Sequence, residues 1–263
     1  MKVINSVQFK KFVRNAGGFI CGREPAIHKI PFGPLMGWKI FMSIDVSPRM
    51  YFGIDEPWIA KLSKKYIHPG DVVYDVGAHI GYTSLLFVQQ LGKTGCVHAF
   101  EILPSVAKKF LKRTIEANKL DNVVVHSLGL SDKELELDLA IGDTLMANLY
   151  SVNTGKKSEL CKVVTLDQYV EQQRIPLPSV IKIDIEGAEI SCLSGGIELI
   201  KRCMPIMIIE FHSLDLLRRG YALLRPLGYK MVSEDGTVVD DSMLEYLAHF
   251  HRSILCLPIN RNS

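Results

Sequence analysis

The sequence predicts an α/β fold with a mostly parallel sheet of seven strands and helices on both faces. Three observations predict it. Short apolar runs alternate with longer amphipathic stretches along most of the chain, a pattern typical of strands joined by crossover helices. The apolar run 72–76 ends in a glycine turn that opens the next helix. Apolar residues make up 48% of the 263 residues, enough for one substantial core.

The predicted elements follow in order along the chain. The sheet strands are expected at 72–76, 96–100, 122–127, 179–184, 205–211, 229–233 and 253–257, with an earlier strand at 38–44 and an extra hairpin at 134–139 and 160–164. Helices are expected at 3–15, 56–67, 82–91, 104–118, from 166, at 187–201 and at 214–225. The last two strands either close the sheet, with the last strand antiparallel, or form a separate hairpin. Residues 1–69 are less regular and are expected to be an N-terminal extension that packs on a domain spanning 70–263.

Charge and cysteine usage narrow the class of protein. The net charge is only +3 and the basic pairs are scattered, so no nucleic-acid partner is expected. None of the six cysteines forms a C-x-x-C pair, which favours reduced, buried thiols over a disulfide framework or a zinc site. We find no signal peptide and no run long enough to span a bilayer. The expected location is therefore cytoplasmic.

The glycine turn after the first sheet strand indicates a cofactor site. Gly77 and Gly81 allow a sharp turn and a close ligand approach, and the helix that opens beside them presents unpaired N–H groups. Glu101 ends the next apolar run, where a carboxylate can accept hydrogen bonds from both ribose hydroxyls. Together these residues predict a cofactor that carries adenosine.

The details favour S-adenosylmethionine over a nicotinamide dinucleotide. A dinucleotide site would have the pattern G-x-G-x-x-G, whereas this turn has two glycines. Asp75, just before the turn, would repel a pyrophosphate but suits the amino group of a methionine moiety, directly or through water. Dinucleotide binding and a plain glycine turn remain the alternatives.

A second group of polar residues follows the fourth sheet strand. Asp184 and Glu186 lie where that strand ends, the edge at which open α/β sheets bind ligands. Three interpretations stay open: the carboxylates take the acceptor's proton, they bind a divalent cation, or they favour the start of the next helix while Lys182 pairs with Asp184. Glu189 fits the helix-start interpretation at least as well. A metal is not favoured, because no histidine joins this group in the sequence.

The fifth sheet strand ends with Glu210 and His212 on one face. An imidazole titrates near neutral pH, so His212 is a candidate general base; the alternative is a cap on the following helix. His79, inside the glycine turn, is expected to shape the cofactor loop.

Five segments resemble the FkbM family of S-adenosylmethionine-dependent methyltransferases. They are Gly53–Pro57, Asp75–Tyr82, Thr165–Val170, Lys182–Glu189 and Ile209–His212. The resemblance implies the Rossmann-like class I methyltransferase fold and methyl transfer to a hydroxyl of a sugar or secondary metabolite. One departure is that His79 stands where the family often has asparagine.

The resemblance also implies a set of cofactor contacts. Asp75, Gly77, His79, Gly81 and Tyr82 would line the cofactor, Glu101 would bind the ribose, Ile102 would pack on the adenine, Ser127 and Leu128 would flank it, and Glu56 would hold the methionine end. Asp184, from its place at the end of the fourth sheet strand, would face the methyl donor or the acceptor hydroxyl.

The sequence therefore predicts an O-methyltransferase with a small-molecule or glycan hydroxyl acceptor. His212 or Asp184 would take the acceptor's proton, with Glu210 and Glu186 beside them. The rival functions are an NAD-dependent oxidoreductase and a non-catalytic nucleoside-binding module. Residues 1–50 and 131–164 are expected to shape the acceptor pocket.

Overall fold

The computed structural model describes residues 24–44, 47–140, 158–244 and 253–259. The strands in these ranges are β1 Ala26–Lys29, β2 Lys39–Met42, β3 Val72–Val76, β4 Cys96–Phe100, β5 Val123–His126, β6 Gly129–Leu130, β7 Leu135–Ala140, β8 Ser158–Val164, β9 Val180–Ile183, β10 Ile206–Glu210, β11 Tyr229–Val232 and β12 Ser253–Pro258. The α-helices are α1 Pro48–Tyr51, α2 Pro57–Tyr66, α3 Tyr82–Leu91, α4 Lys112–Ala117, α5 Leu166–Gln173, α6 Glu189–Gly195, α7 Ile197–Cys203 and α8 Leu214–Leu224. The predicted helix 3–15 lies outside the described residues.

Seven strands form the central sheet in the order β11-β12-β10-β9-β3-β4-β5. Strand β12 runs antiparallel to both of its neighbours, β10 and β11. The other neighbouring pairs are parallel. The predicted fold is therefore confirmed, and the late hairpin closes the sheet, because β12 inserts between β10 and β11.

The sheet is covered on both faces, which explains why its strands read as nearly continuous apolar runs. One buried cluster joins the sheet to α2, α3 and α4, and a second cluster joins it to the helices α5 to α8. All four residues of β9 are buried, including Lys182. Within the described residues, no helix is long and apolar enough to cross a membrane.

Two predicted helices differ in detail from the observed ones. The helix predicted at 187–201 is two helices, α6 and α7, separated at Gly196. A Cβ at Gly196 would lie 2.9 Å from Leu166 Cδ2, so the break lets this segment pack closely on α5. The helix predicted at 104–118 begins with a π-helical stretch, Val106–Leu111, before α4.

A small second sheet carries the predicted extra hairpin. Strands β7 and β8 pair antiparallel, and β6 pairs with β8 in the order β6-β8-β7. Leu139 of β7 lines the cavity described below.

Residues before the central sheet pack on its core. Strand β1, which the sequence did not predict, pairs antiparallel with β2. Phe41 of β2 donates its backbone N–H to Thr114 Oγ1 at 3.0 Å and lies against Phe110. The division of the chain at residues 69 and 70 stays a prediction.

Candidate active site

A cavity of about 290 Å³ opens at the carboxyl ends of β3, β4 and β9. Nine of the residues predicted for the site line it: Glu56, Gly77, His79, Tyr82, Glu101, Ile102, Leu128, Asp184 and Glu186. Residues that the sequence did not single out also line it, among them Met50, Asp55, Phe100, Gly129, Leu130 and Leu139. The other predicted residues, Asp75, Gly81, Ser127, Glu210 and His212, lie in the layer around the cavity.

The glycine turn brings the ends of β3 and β9 together. Gly77 has φ +78°, and a Cβ there would lie 1.9 Å from the Asp184 carbonyl oxygen. The turn is fixed from the other side, because the N–H groups of Gly77 and Ala78 both donate to the Phe100 carbonyl oxygen at 3.0 Å. Gly81 has φ +96° and faces Leu111. A glycine is therefore needed here for close packing at the start of α3. Gly81 does not line the cavity, and its contact with a cofactor stays a prediction.

Glu101 lies at the end of β4 with its carboxylate against the glycine turn. Its Oε2 accepts the N–H of His79 at 2.9 Å, and its Oε1 accepts the N–H of Leu103 at 2.9 Å. Burial raises the pKa of Glu101 to about 7, although the two backbone hydrogen bonds oppose the shift. Each oxygen keeps a lone pair for a further donor, as the predicted ribose contact requires.

An apolar slot lies beside Glu101. Ile102 and Leu128 line it, as predicted for an adenine-binding wall. Gly129 also belongs to it, because a Cβ there would lie 2.6 Å from Ile102 Cδ1. The Ser127 hydroxyl oxygen is buried, with no hydrogen-bond partner among the described residues. The flanking role of Ser127 stays a prediction.

Asp75 lies close to the glycine turn but does not line the cavity. The residue is completely buried. Its Oδ2 accepts the hydroxyl groups of Thr83 at 2.8 Å and of Ser84 at 2.5 Å. Its Oδ1 lies 3.6 Å from Lys182 Nζ. The first turn of α3 thus occupies Oδ2, while Oδ1 has no hydrogen-bond partner among the described residues. The contact of Asp75 with a cofactor, directly or through water, stays a prediction.

Glu56 and Tyr82 close another side of the cavity. Glu56 precedes α2 with φ +46°, a conformation that is unfavourable for a residue with a side chain. Burial, followed by the nearby charge of Asp55, raises the pKa of Glu56 to about 7. Burial is also the main cause that raises the pKa of Tyr82 to about 12.

His212 and four carboxylates form a cluster at the rim of the cavity. Its Nδ1 lies 2.7 Å from Glu189 Oε1, and Glu189 is completely buried. A carboxylate only accepts hydrogen bonds, so Nδ1 carries a proton and donates it. Nε2 lies 3.3 Å from Glu186 Oε2, 3.6 Å from Asp184 Oδ1 and 3.9 Å from Glu210 Oε1. The cluster adjoins the cavity, since both Asp184 and Glu186 line it.

The carboxylates hold His212 in its charged form. Burial opposes that charge, but the hydrogen bond to Glu189 and the charges of Glu186, Glu189 and Asp184 outweigh it and raise the pKa of His212 to about 9. The cluster also brings a histidine to the carboxylates, which the sequence order did not show. Ligand atoms of Asp184, Glu210 and His212 lie within 4.8 Å of one another, a spacing that a divalent cation could also bridge.

Glu189 is the residue that sequence reasoning undervalued. It begins α6 and accepts the Gly187 N–H at 2.9 Å, as its predicted helix-start role implies. Its contact with His212, 23 residues away, orients the imidazole as well. No local pattern in the sequence predicts that contact.

Two curated proteins resemble this chain in sequence. The chain is 26% identical over 143 residues to the hexuronic acid methyltransferase AglP of Haloferax volcanii, covering 54% of this chain and 56% of that protein. It is 28% identical over 202 residues to the 31-O-demethyl-FK506 methyltransferase FkbM of Streptomyces tacrolimicus, covering 64% of this chain and 76% of that protein. The chain thus spans little more than half the length of AglP.

A solved structure and a family of known sequences also match this chain. The crystal structure of an FkbM methyltransferase from Methylobacillus flagellatus shares 17% identity and a TM-score of 0.48, covering 81% of this chain and 53% of that one. The family described as "Methyltransferase FkbM domain" matches residues 75–248, which include the glycine turn, Glu101 and the histidine–carboxylate cluster. The chain belongs to the FkbM methyltransferase family.

Proposed function

We propose that this chain is an S-adenosylmethionine-dependent O-methyltransferase whose acceptor is a hydroxyl of a sugar or natural product. One observation carries the proposal. The cavity that Glu101 and Gly77 line also contains Asp184 and Glu186, which lie 3.6 Å and 3.3 Å from His212 Nε2. The residues proposed to bind the nucleoside therefore line the same cavity as two carboxylates that lie beside His212.

The residues present fit S-adenosylmethionine. Glu101 offers a carboxylate to the ribose hydroxyls, and Ile102, Leu128 and Gly129 offer apolar contacts to the adenine. At the other end, Glu56 and Asp184 offer negative charge to the amino group of the methionine moiety. When bound, the cofactor supplies an electrophilic methyl group on a positively charged sulfur.

The chain's own residues supply orientation and a proton acceptor. Glu189 holds the His212 ring so that Nε2 faces the cavity rim. Once Nε2 has lost its proton, it accepts the proton of the acceptor hydroxyl, and the surrounding carboxylates stabilise the imidazolium that forms. Alignment of the hydroxyl with the methyl group provides much of the rate, since both groups are held in one cavity.

The relatives' names support the acceptor class. One is a methyltransferase of a hexuronic acid and the other of demethyl-FK506, a sugar acid and a natural product. The low net charge, +3, gives no support to a nucleic-acid acceptor.

Calorimetric titration separates this proposal from its rivals. The proposal expects S-adenosylhomocysteine to bind and NADH not to bind. Binding of NADH alone would indicate the oxidoreductase alternative. Binding of S-adenosylhomocysteine without transfer of a labelled methyl group to any hydroxyl acceptor from sugar and natural-product panels would favour the non-catalytic module.

A further inference from the structure

Lys182 is a buried charge in an otherwise apolar strand. It lies between Ile181 and Ile183 in β9, and only 4% of the residue is exposed. Burying an ammonium group is strongly unfavourable unless carboxylates and hydrogen-bond acceptors compensate it. The contacts of Lys182 should therefore explain why a charge stands at this position.

Those contacts join two loops of the cavity. Lys182 Nζ donates to the Gly77 carbonyl oxygen at 2.9 Å. It lies 3.2 Å from Asp184 Oδ2 and 3.6 Å from Asp75 Oδ1. The strand register places Lys182 directly beside Asp75 of β3. One ammonium group thus ties the glycine turn after β3 to the carboxylate after β9.

Asp184 is held between two cationic groups. Its Oδ2 faces Lys182, while its Oδ1 lies 3.6 Å from His212 Nε2. Because Lys182 fixes one oxygen, the other is presented to the imidazole at the cavity rim. Asp184 is 29% exposed at its side chain, so without Lys182 it could rotate freely toward solvent or His212.

We propose that Lys182 is a positioning residue, which fixes the Asp184 carboxylate relative to the Gly77 turn. It thereby fixes the position of the acceptor side of the cavity relative to the cofactor side. The inference rests on the proposed function for its consequence in methyl transfer. A displacement of about 1 Å at this junction is enough to slow an aligned reaction about 100-fold.

The test uses a charge-balanced double variant. In Lys182→Met alone, the buried Asp75 carboxylate would lose its cationic neighbour, and a folding defect would hide the positioning effect. Asp75→Asn/Lys182→Met removes one charge of each sign. Lys182→Arg keeps the charge but changes its geometry. Lys201→Met is the control, since Lys201 pairs with Glu198 of its own helix at 2.8 Å and is half exposed.

Two measurements are made on each variant. The first is the affinity for S-adenosylhomocysteine by calorimetry, which should fall about tenfold or more in the double variant and stay unchanged in Lys201→Met. The second is the titration of His212 by NMR, assigned with His212→Asn. Asp184, Glu186, Glu189 and Glu210 all still face the imidazole. A released Asp184 no longer keeps its fixed distance from the imidazole, so the pKa of His212 should shift.

An unchanged His212 titration overturns the proposal even if affinity falls, because Lys182 would then support only the glycine turn. Affinity within about twofold of the wild-type value overturns it as well. If the double variant does not fold, Lys182→Arg is judged by the same two criteria. If the wild-type protein does not bind S-adenosylhomocysteine, the proposed function is contradicted. The difference in His212 titration between the wild type and the variants still decides the role of Lys182.

Discussion

At the residue scale, backbone strain is concentrated at the cavity. Glu56, His79 and Glu186 have φ values of +46°, +50° and +51°, and all three line the cavity. The other non-glycine residues with positive φ among those described, Lys119, Arg174 and Met204, lie just after helices, where that conformation is common. A positive φ at a non-glycine residue, where the end of a helix does not explain it, is typical of ligand-binding sites. The strained backbone positions therefore lie at the same cavity as the candidate side chains.

Glu101 gives the most direct test of the cofactor end. Glu101→Gln keeps the shape but removes the charge that would receive the ribose hydroxyls. Hydrogen bonds to a charged group contribute about 1.5–3 kcal/mol, so affinity for S-adenosylhomocysteine should fall about 10- to 100-fold by calorimetry. Glu116→Gln, at an exposed position on α4, is the matched control. Equal affinities in the two variants would remove Glu101 from the site.

His212 makes a prediction about pH. Its pKa is raised to about 9, so at neutral pH most molecules carry an imidazolium that has no capacity to accept a proton. The rate of methyl transfer should therefore rise as pH increases from 7 toward 9. His212→Asn should abolish that rise and lower turnover while sparing cofactor affinity.

The same assay is repeated with EDTA. The dependence of the methyl-transfer rate on pH should be unchanged by EDTA if His212 accepts the proton. Loss of activity on chelation would show instead that Asp184, Glu210 and His212 hold a cation. A flat profile in the unmodified enzyme would contradict a base at His212.

At the scale of elements, the site depends on close contact between the ends of β3 and β9. Gly77→Ala would add a Cβ 1.9 Å from the Asp184 carbonyl oxygen at a residue with φ +78°. We expect a loss of roughly 3 kcal/mol or more in the free energy of unfolding, measured with urea.

Gly236→Ala is the control for Gly77→Ala. Gly236 has φ +90°, but a Cβ there would meet no atom of the described residues within 4 Å, so the change should cost only about 1 kcal/mol. Similar losses in both variants would show that backbone conformation alone, and not contact between the strands, makes Gly77 necessary.

Sequence patterns predicted most elements because each strand of the parallel sheet is an apolar run that ends in turn residues. They also placed Asp184, Glu210 and His212 at one edge, since the carboxyl ends of parallel strands meet there. Patterns did not predict strand β1, whose residues are mostly exposed, or the break at Gly196, which depends on packing against Leu166.

Contacts between distant side chains were beyond sequence reasoning. The hydrogen bond from His212 to Glu189 and the capture of Asp75 by Thr83 and Ser84 depend on which way side chains turn. The sequence identified these residue types at suitable positions. It did not show that Asp75 accepts hydrogen bonds from α3 or that Glu189 orients the imidazole.

At the scale of the whole molecule, a row of hydrogen-bonded side-chain rings runs from β4 through the edge strand β5 to α5. His98 Nδ1 lies 3.0 Å from His126 Nε2, and His126 Nδ1 lies 3.1 Å from the Tyr169 hydroxyl oxygen. Burial lowers the pKa of His98. Burial, together with the nearby His98, lowers the pKa of His126 to about 4. Both rings are therefore neutral in the folded protein at neutral pH.

This row of rings predicts a loss of stability in acid. The unfolded histidines bind protons near their ordinary pKa of 6.5, whereas folded His126 does so only near 4. Neutral His126 therefore makes its full contribution to the free energy of unfolding above pH 6.5. That contribution is lost as the pH falls toward 4, because the unfolded state then binds more protons. Between pH 7.5 and 5, urea unfolding should show a loss from His126 of roughly 2 kcal/mol.

Comparison with His126→Phe isolates that contribution from other titrating groups. The phenyl ring can still stack on Phe100, whose ring centre lies 4.5 Å from that of His126. The variant should lose less stability on acidification than the wild type, and His68→Gln, on the surface, should behave like the wild type. Equal pH dependence in all three proteins would contradict the account of the buried rings.

We propose that an adenosine-bearing methyl donor binds where β3 and β4 end. A crystal structure of the complex with S-adenosylhomocysteine would show whether it does. We expect the ribose hydroxyls on the Glu101 carboxylate, the adenine between Ile102 and Leu128, and the sulfur facing Asp184. A cavity left empty at saturating ligand, or a ligand bound elsewhere, would rule out this site.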